Sequence, residues 1–257
     1  MGLMDGKNVV IFGVANKRSI AWGIAQAMAR EGAKLAFSYQ NERMAGALEK
    51  LVAELPEKPF MAPCDVTVEG DIERFYEALG KEWDGIDGMV HSIAFAKREE
   101  LGGNFRDTSW DGYALAQQVS AWSLVGLCKA AAPMMEGRNA GVVCLSYYGA
   151  EKVVQNYNVM GVAKAALESS TRYLANDLGP RGIRVNAISA GPIRTLSASG
   201  VQGFSDILDH IAERAPLKRN ITAEEVGSVC AFLAGPMASG ITGTTMFVDA
   251  GYHIMGV

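Results

Sequence analysis

The sequence predicts an α/β protein built on a doubly wound parallel sheet, and three observations lead there. Short apolar runs rich in Val, Ile, Phe and Leu recur along the chain without polar alternation. Longer stretches with helical periodicity separate them. The first run passes directly into a glycine-bearing turn that opens a helix. A strand covered by helices on both faces has no polar side, so it reads as a continuous apolar run. Strand–helix alternation then makes each crossover return parallel to the last strand.

Seven strands are expected, at Asn8–Phe12, Lys34–Tyr39, Pro59–Pro63, Met89–Ser92, Gly141–Ser146, Arg184–Ile188 and Thr244–Val248. Helical patterns lie near 20–31, 42–54, 69–82, 107–135, 158–178 and 222–234. No linker, low-complexity segment or internal repeat interrupts them, so residues 1–257 are expected to form a single Rossmann-type domain with helices on both faces of the sheet. Trp110–Met135 is apolar on more than one side, through Leu115, Val119, Trp122, Val125, Leu127 and Met134. Such a helix is buried on more than one face, either in the core or at a subunit interface.

Composition narrows the function classes. Hydrophobic residues make up 49% of the 257, enough for a core without disulfide or metal staples. Net charge is −4 and no run of Lys and Arg forms a stripe, which argues against a nucleic-acid partner. Cys64, Cys128, Cys144 and Cys230 all fall in apolar segments without CxxC spacing, as small buried hydrophobes do in a reducing compartment. His91, His210 and His253 are scattered without metal-ligand spacing, so no metal site is expected. The apolar stretch near the start is too short for a signal-peptide core, and no run approaches the roughly 20 residues of a membrane span. A cytoplasmic protein is expected.

The turn after the first strand reads Gly13-x5-Ser19-Ile20-x2-Gly23. Glycine lets backbone approach a pyrophosphate, and the helix that follows offers free amides and the positive end of its dipole. The second strand ends at Gln40, where an acidic residue would bind an NAD ribose or a basic one an NADP phosphate. A neutral amide bonds ribose hydroxyls and offers nothing to a 2′-phosphate, so NADH is expected in preference to NADPH. Arg43 either reaches toward such a phosphate or forms the solvated face of the next helix. Asp65, after the third strand, either accepts a hydrogen bond from an adenine amino group or caps the following helix. His91-Ser92-Ile93-Ala94 closes the fourth strand with small residues where a cofactor can pass close to backbone.

Together these pieces resemble the short-chain dehydrogenase/reductase superfamily, and within it the enoyl-acyl carrier protein reductases of bacterial fatty-acid synthesis. The resemblance also rests on Leu145-Ser146-Tyr147-x-Gly149-Ala150-Glu151, Asn156-Tyr157-Asn158-Val159-Met160-Gly161 and Arg184-Val-Asn-Ala-Ile-Ser-Ala-Gly191-Pro192-Ile193-Arg194-Thr195. It runs from about residue 3 to residue 252. An ordinary superfamily member carries Tyr-x3-Lys; counting back from Lys164, that position holds Met160, and the nearest tyrosine is Tyr157. Seven residues are close to two helical turns, so Tyr157 and Lys164 share a face, about 10 Å apart along the axis. A keto-specific dehydrogenase would need the shorter spacing, and a non-catalytic cofactor sensor would not need this pair.

The resemblance implies NADH-dependent reduction of trans-2-enoyl thioesters borne on acyl carrier protein or coenzyme A, by a homotetramer. It implies catalytic roles for Tyr157, Lys164 and Tyr147, although Tyr147 also fits a loop aromatic packed on a helix. It assigns cofactor contact to Gly13, Ser19, Ile20, Gln40, Asp65, Val66, Ile93, Lys164, Ile193, Arg194, Thr195, Leu196 and Ser197. It sets Ala96, Tyr147 and Tyr157 against substrate, and makes about 194–210 a substrate-binding loop. Tyr148 carries no such role. One feature strains the likeness: Val201–His210 contains Asp206 and Asp209 but no Lys or Arg, whereas a carrier protein is acidic.

Overall fold

In the computed structural model, residues 2–195 and 203–256 are described. Seven parallel strands form one sheet in the order β3-β2-β1-β4-β5-β6-β7. They are β1 (Asn8–Phe12), β2 (Lys34–Tyr39), β3 (Phe60–Pro63), β4 (Gly88–His91), β5 (Gly141–Ser146), β6 (Arg184–Ala190) and β7 (Thr245–Val248). Registers such as Ile11 beside Phe37 and Phe12 beside His91 confirm the parallel pairing of β1 with both β2 and β4.

Strand β1 shows why polar alternation is missing. Val10 and Phe12 pack into the layer that also holds Phe75, Leu79, Leu124 and Leu127. Val9 and Ile11 point the other way, into the layer with Trp22, Ile24, Leu48 and Val226. Successive side chains of a strand alternate faces, and here both faces are covered. The covering helices are α1 (Ile20–Arg30), α2 (Glu42–Val52), α3 (Asp71–Leu79), α4 (Trp110–Gln117), α5 (Ser123–Met135), α6 (Asn158–Leu178), α7 (Phe204–Arg214) and α8 (Ala223–Ala234). No helix among the described residues is long and apolar enough to cross a membrane. All four cysteines are buried and free, as their apolar settings predict.

Three elements differ from the expectation. The pattern over 107–135 begins at Trp110 and is one helical run whose regularity is broken by a π turn at Gln118–Trp122, between α4 and α5. The expected loop to 210 instead turns helical at Phe204, because Leu208 and Ile211 recur at helical spacing and are buried. Leu196 and Ser197 lie outside the described residues. Asp65 does not cap the following helix: α3 starts six residues later behind Gly70, and the Asp65 carboxylate turns back to bond Thr67.

Candidate active site

All seven strands end on one edge, and the chain leaves β1 and β4 toward opposite halves of the sheet. Ligands of open α/β sheets bind at that divergence. A cleft of about 490 Å³ opens there. Its floor is the turn after β1, through Gly13, Asn16, Ser19 and Ile20, and the end of β4, through Ser92 and Ala94 to Ala96. One wall is Tyr147, Tyr157, Met160 and Lys164; the other is Gly191 to Ile193 with Thr195. Phe204 and Ile207 of α7 also line the cleft.

The turn after β1 fits a dinucleotide. Gly13 has φ +99°, and a Cβ there would stand 2.1 Å from the carbonyl oxygen of Ser92. Any side chain would therefore push β1 from β4 and fill the crevice between them. Ser19 caps α1 by accepting the Trp22 amide at 3.3 Å, so the helix begins inside the cleft with its dipole aimed into it. Gln40 and Asp65 stand beyond the cleft lining, at the ends of β2 and β3, and meet each other: Gln40 Nε2 donates to Asp65 Oδ2 at 2.8 Å. Burial pushes the Asp65 carboxyl up, but bonds from Thr67 and Gln40 outweigh it and hold the group below its ordinary range. Of the other expected cofactor contacts, Val66 is 7% exposed within the core, Ile93 packs against the same core, and Arg194 is exposed outside the cleft lining.

The second half of the site is built by α6 against β5. Tyr157 occupies the cap position of α6, just ahead of its first helical residue. Its neighbours Asn156 and Asn158 have φ +62° and +36°, a conformation asparagine tolerates better than most residues. The Asn158 amide also donates to the Gly102 carbonyl at 3.0 Å, tying this corner to the loop after β4. The Tyr157 ring meets Tyr147 edge-on, with centroids 5.1 Å apart. Burial, then the neighbouring Tyr147, raises the Tyr157 phenol well above its ordinary 10, and burial pushes Tyr147 up to about 12. Both are hydrogen-bond donors at neutral pH. Lys164 is 6% exposed, and its Nζ donates to the Leu145 carbonyl at 2.6 Å. Burial lowers it from 10.5 to about 8, against the opposing pull of Cys144 and Glu168.

A family model described as enoyl-(acyl carrier protein) reductase matches residues 13–253. The chain belongs to that family. The Bacillus cereus enoyl-[acyl-carrier-protein] reductase [NADH] FabI is 52% identical over 258 residues, spanning all of both chains. The Staphylococcus aureus enoyl-[acyl-carrier-protein] reductase [NADPH] FabI is 49% identical over 251 residues, 97% of this chain and 98% of that one. A crystal structure of the Bacillus cereus enzyme with NADP+ and indole naphthyridinone superposes with a TM-score of 0.98 at 51% identity, covering both chains fully.

In this member of the enoyl reductase family, Met160 fills the place of the ordinary superfamily tyrosine. It is 6% exposed, lines the cleft, and receives the Ser120 hydroxyl at its sulfur, 3.7 Å away. Several residues have roles in the site that were not evident in the sequence. Ser120, in the π turn, accepts the Phe95 amide at 3.0 Å and so braces the segment that carries Ala96. Ser146 and Glu168 bond each other behind Lys164. His91 is fully buried, shares a 2.7 Å bond with Ser123, and is driven down to about 3 by burial and by Lys164, so it is neutral. A polar residue breaking an apolar run was the available signal for each. Tyr148 packs edge-on against Tyr252, as a loop aromatic does.

Proposed function

We propose that this protein uses NADH to reduce the 2,3 double bond of trans-2-enoyl thioesters carried on acyl carrier protein or coenzyme A. One observation carries the reading: Tyr157 and Lys164 open into the same cleft at seven-residue spacing, with Met160 between them where a ketone reductase places its tyrosine. Ketone reduction delivers hydride to the carbon that bears the oxygen. Enoyl reduction delivers it to the β-carbon, so the developing oxyanion lies farther from the donor, and a tyrosine nearly one turn further from the lysine suits it.

The reduced nicotinamide, when bound, supplies the hydride. The turn from Gly13 to Ile20 would hold the pyrophosphate by backbone amides, and Thr195 would bond it as well. Gln40 would bond the adenosine ribose and Asp65 the adenine amino group, while Ile193 would hold the nicotinamide through its backbone. Lys164 bonds the nicotinamide ribose, and its charge eases the oxyanion. The Tyr157 hydroxyl donates to the thioester oxygen as negative charge gathers there; a donor aimed at developing charge is worth on the order of 10²–10³ in rate. Tyr147 orients the thioester and Ala96 lies against it. On this reading residues 1–257 act as one catalytic unit, because nucleotide and thioester share one cleft.

NADH is preferred because Gln40 presents no cation to a 2′-phosphate. The Bacillus cereus structure that holds NADP+ and the relative named for NADPH keep the margin modest. Self-association, as the homotetramer that the resemblance implies, is supported by the open face of the π turn, α5 and α6, where Trp122 is 54%, Val125 36% and Tyr173 79% exposed. Monomers rarely leave so contiguous an apolar patch in water. A role in fatty-acid elongation supports a cytoplasmic setting.

The test is Tyr157→Phe assayed with crotonyl and acetoacetyl thioesters. Expected are a 10²–10³-fold loss of kcat on the enoyl substrate with unchanged NADH affinity, and no turnover of the ketone by either protein. A variant that keeps most of its enoyl turnover defeats the donor role.

A further inference from the structure

Behind Lys164 lies a buried acid that the hydride transfer does not use. Glu168 sits one helical turn beyond Lys164 on α6 and is 7% exposed. It accepts a hydrogen bond from the Ser146 hydroxyl, and Ser146 is itself 5% exposed on the cleft wall. Lys164 holds the carbonyl of Leu145, the residue before it. Two side chains one turn apart thus grip two consecutive residues of β5, immediately ahead of Tyr147. The other titratable groups facing Lys164 are neutral: His91 on β4 is driven down to about 3, the Cys144 thiol on β5 is pushed up to about 11, and the phenols of Tyr147 and Tyr157 are both raised. Burial, then Glu151, raises the Glu168 carboxyl above its ordinary range, against the Ser146 hydrogen bond and the charges of Arg172 and Lys164. Glu168, one turn along α6 and held by Ser146, is thus the acid that the helix sets beside the lysine.

We propose that Glu168 is a positioning residue for dinucleotide binding: through Ser146 it anchors the end of β5, and through its charge it keeps the Lys164 ammonium in place for the ribose. Residues four apart on a helix face are neighbours, and charges interact strongly when water is excluded. The inference rests on the reading of Lys164 as the ribose-binding residue.

The test measures NADH binding by fluorescence, without substrate, from pH 6 to pH 10 in the full-length protein. Binding is expected to weaken as Lys164 loses its proton. Glu168→Gln, which still accepts from Ser146, moves that alkaline limb down by about one pH unit, and so weakens NADH about tenfold at pH 9. Its melting temperature stays within a few degrees of the parent. Glu168→Asp keeps the charge and holds the limb near its original position, which also covers the case that the Gln variant is unstable. An unmoved limb in Glu168→Gln, or an equal displacement in Glu168→Asp, overturns the proposal. Lys164→Ala serves as the control: full NADH affinity there defeats the reading of Lys164 and this inference with it, whereas lost affinity with an unmoved Glu168→Gln limb defeats this inference alone.

Discussion

Replacing Lys164 by methionine is expected to destroy cofactor binding and to make the free protein more stable. The fall of Lys164 from 10.5 to about 8 is chiefly a burial effect. At about 1.4 kcal/mol per pH unit, holding the charged lysine in the folded state at pH 7 costs about 3 kcal/mol. Methionine fills a similar volume and removes that cost, but forfeits the hydrogen bond to the Leu145 carbonyl, about 1 kcal/mol. The net gain at pH 7 is about 2 kcal/mol, or roughly 4–8 °C for a chain of this size. The gain depends on pH in a defined direction. Between about pH 8 and 10.5 the unfolded chain still holds the lysine proton and the folded one has released it, so the parent gains stability as pH rises. Near pH 10 the two proteins become equal within about 1 kcal/mol. Urea unfolding at pH 7 and pH 10, at equal protomer concentration, measures both numbers. A methionine variant less stable than its parent at pH 7, or one whose advantage is the same at both pH values, refutes the reasoning.

The same geometry predicts other outcomes. Gln40→Arg gives a 2′-phosphate a charged partner and breaks the bond to Asp65, so the NADPH/NADH ratio of kcat/KM rises at least about tenfold; an unchanged ratio removes Gln40 from the adenosine site. Gly13→Ala combines a strained φ with a backbone clash at Ser92, and is expected to cost about 2–4 kcal/mol and to weaken NADH, as read by thermal melts and fluorescence titration. Val125→Glu places a charge on the open apolar face of α5, so sedimentation at micromolar concentration shows smaller species than the parent; an intact tetramer means that assembly uses another face.

Most of the fold was legible because burial on both faces of the sheet leaves an apolar record. Asn8–Phe12, Lys34–Tyr39 and Gly141–Ser146 were bounded to the residue. The α7 stripe of Phe204, Ile207, Leu208 and Ile211 was equally present in the sequence, but it spans only three turns and follows a stretch of small residues, where a loop is the simpler reading. The spacing of Tyr157 and Lys164 was readable because α6 is long and regular after its cap. The ring contact of Tyr147 with Tyr157 was not, since it depends on how the β5 edge meets a helix start set by two left-handed asparagines. The Gln40–Asp65 and Ser146–Glu168 pairs escaped for the same reason: their partners are 25 and 22 residues apart, on different elements. Gly13 was selected for its approach to a phosphate, yet its backbone angle and its closeness to Ser92 already require glycine in the free protein.

The π turn at Gln118–Trp122 is in effect one residue too many in an otherwise continuous helix. Each residue turns a helix by about 100°, so the surplus resets the phase between α4 and α5. It lets Leu124 and Leu127 face the sheet while Ser120 faces Phe95 and Ser123 faces His91. Deleting one residue here would give an uninterrupted α-helix with regular backbone bonds, and it would swing Ser120 away from Phe95. The imperfect helix is thus a vernier: it sets the packing of the core and the position of Ser120 independently of each other.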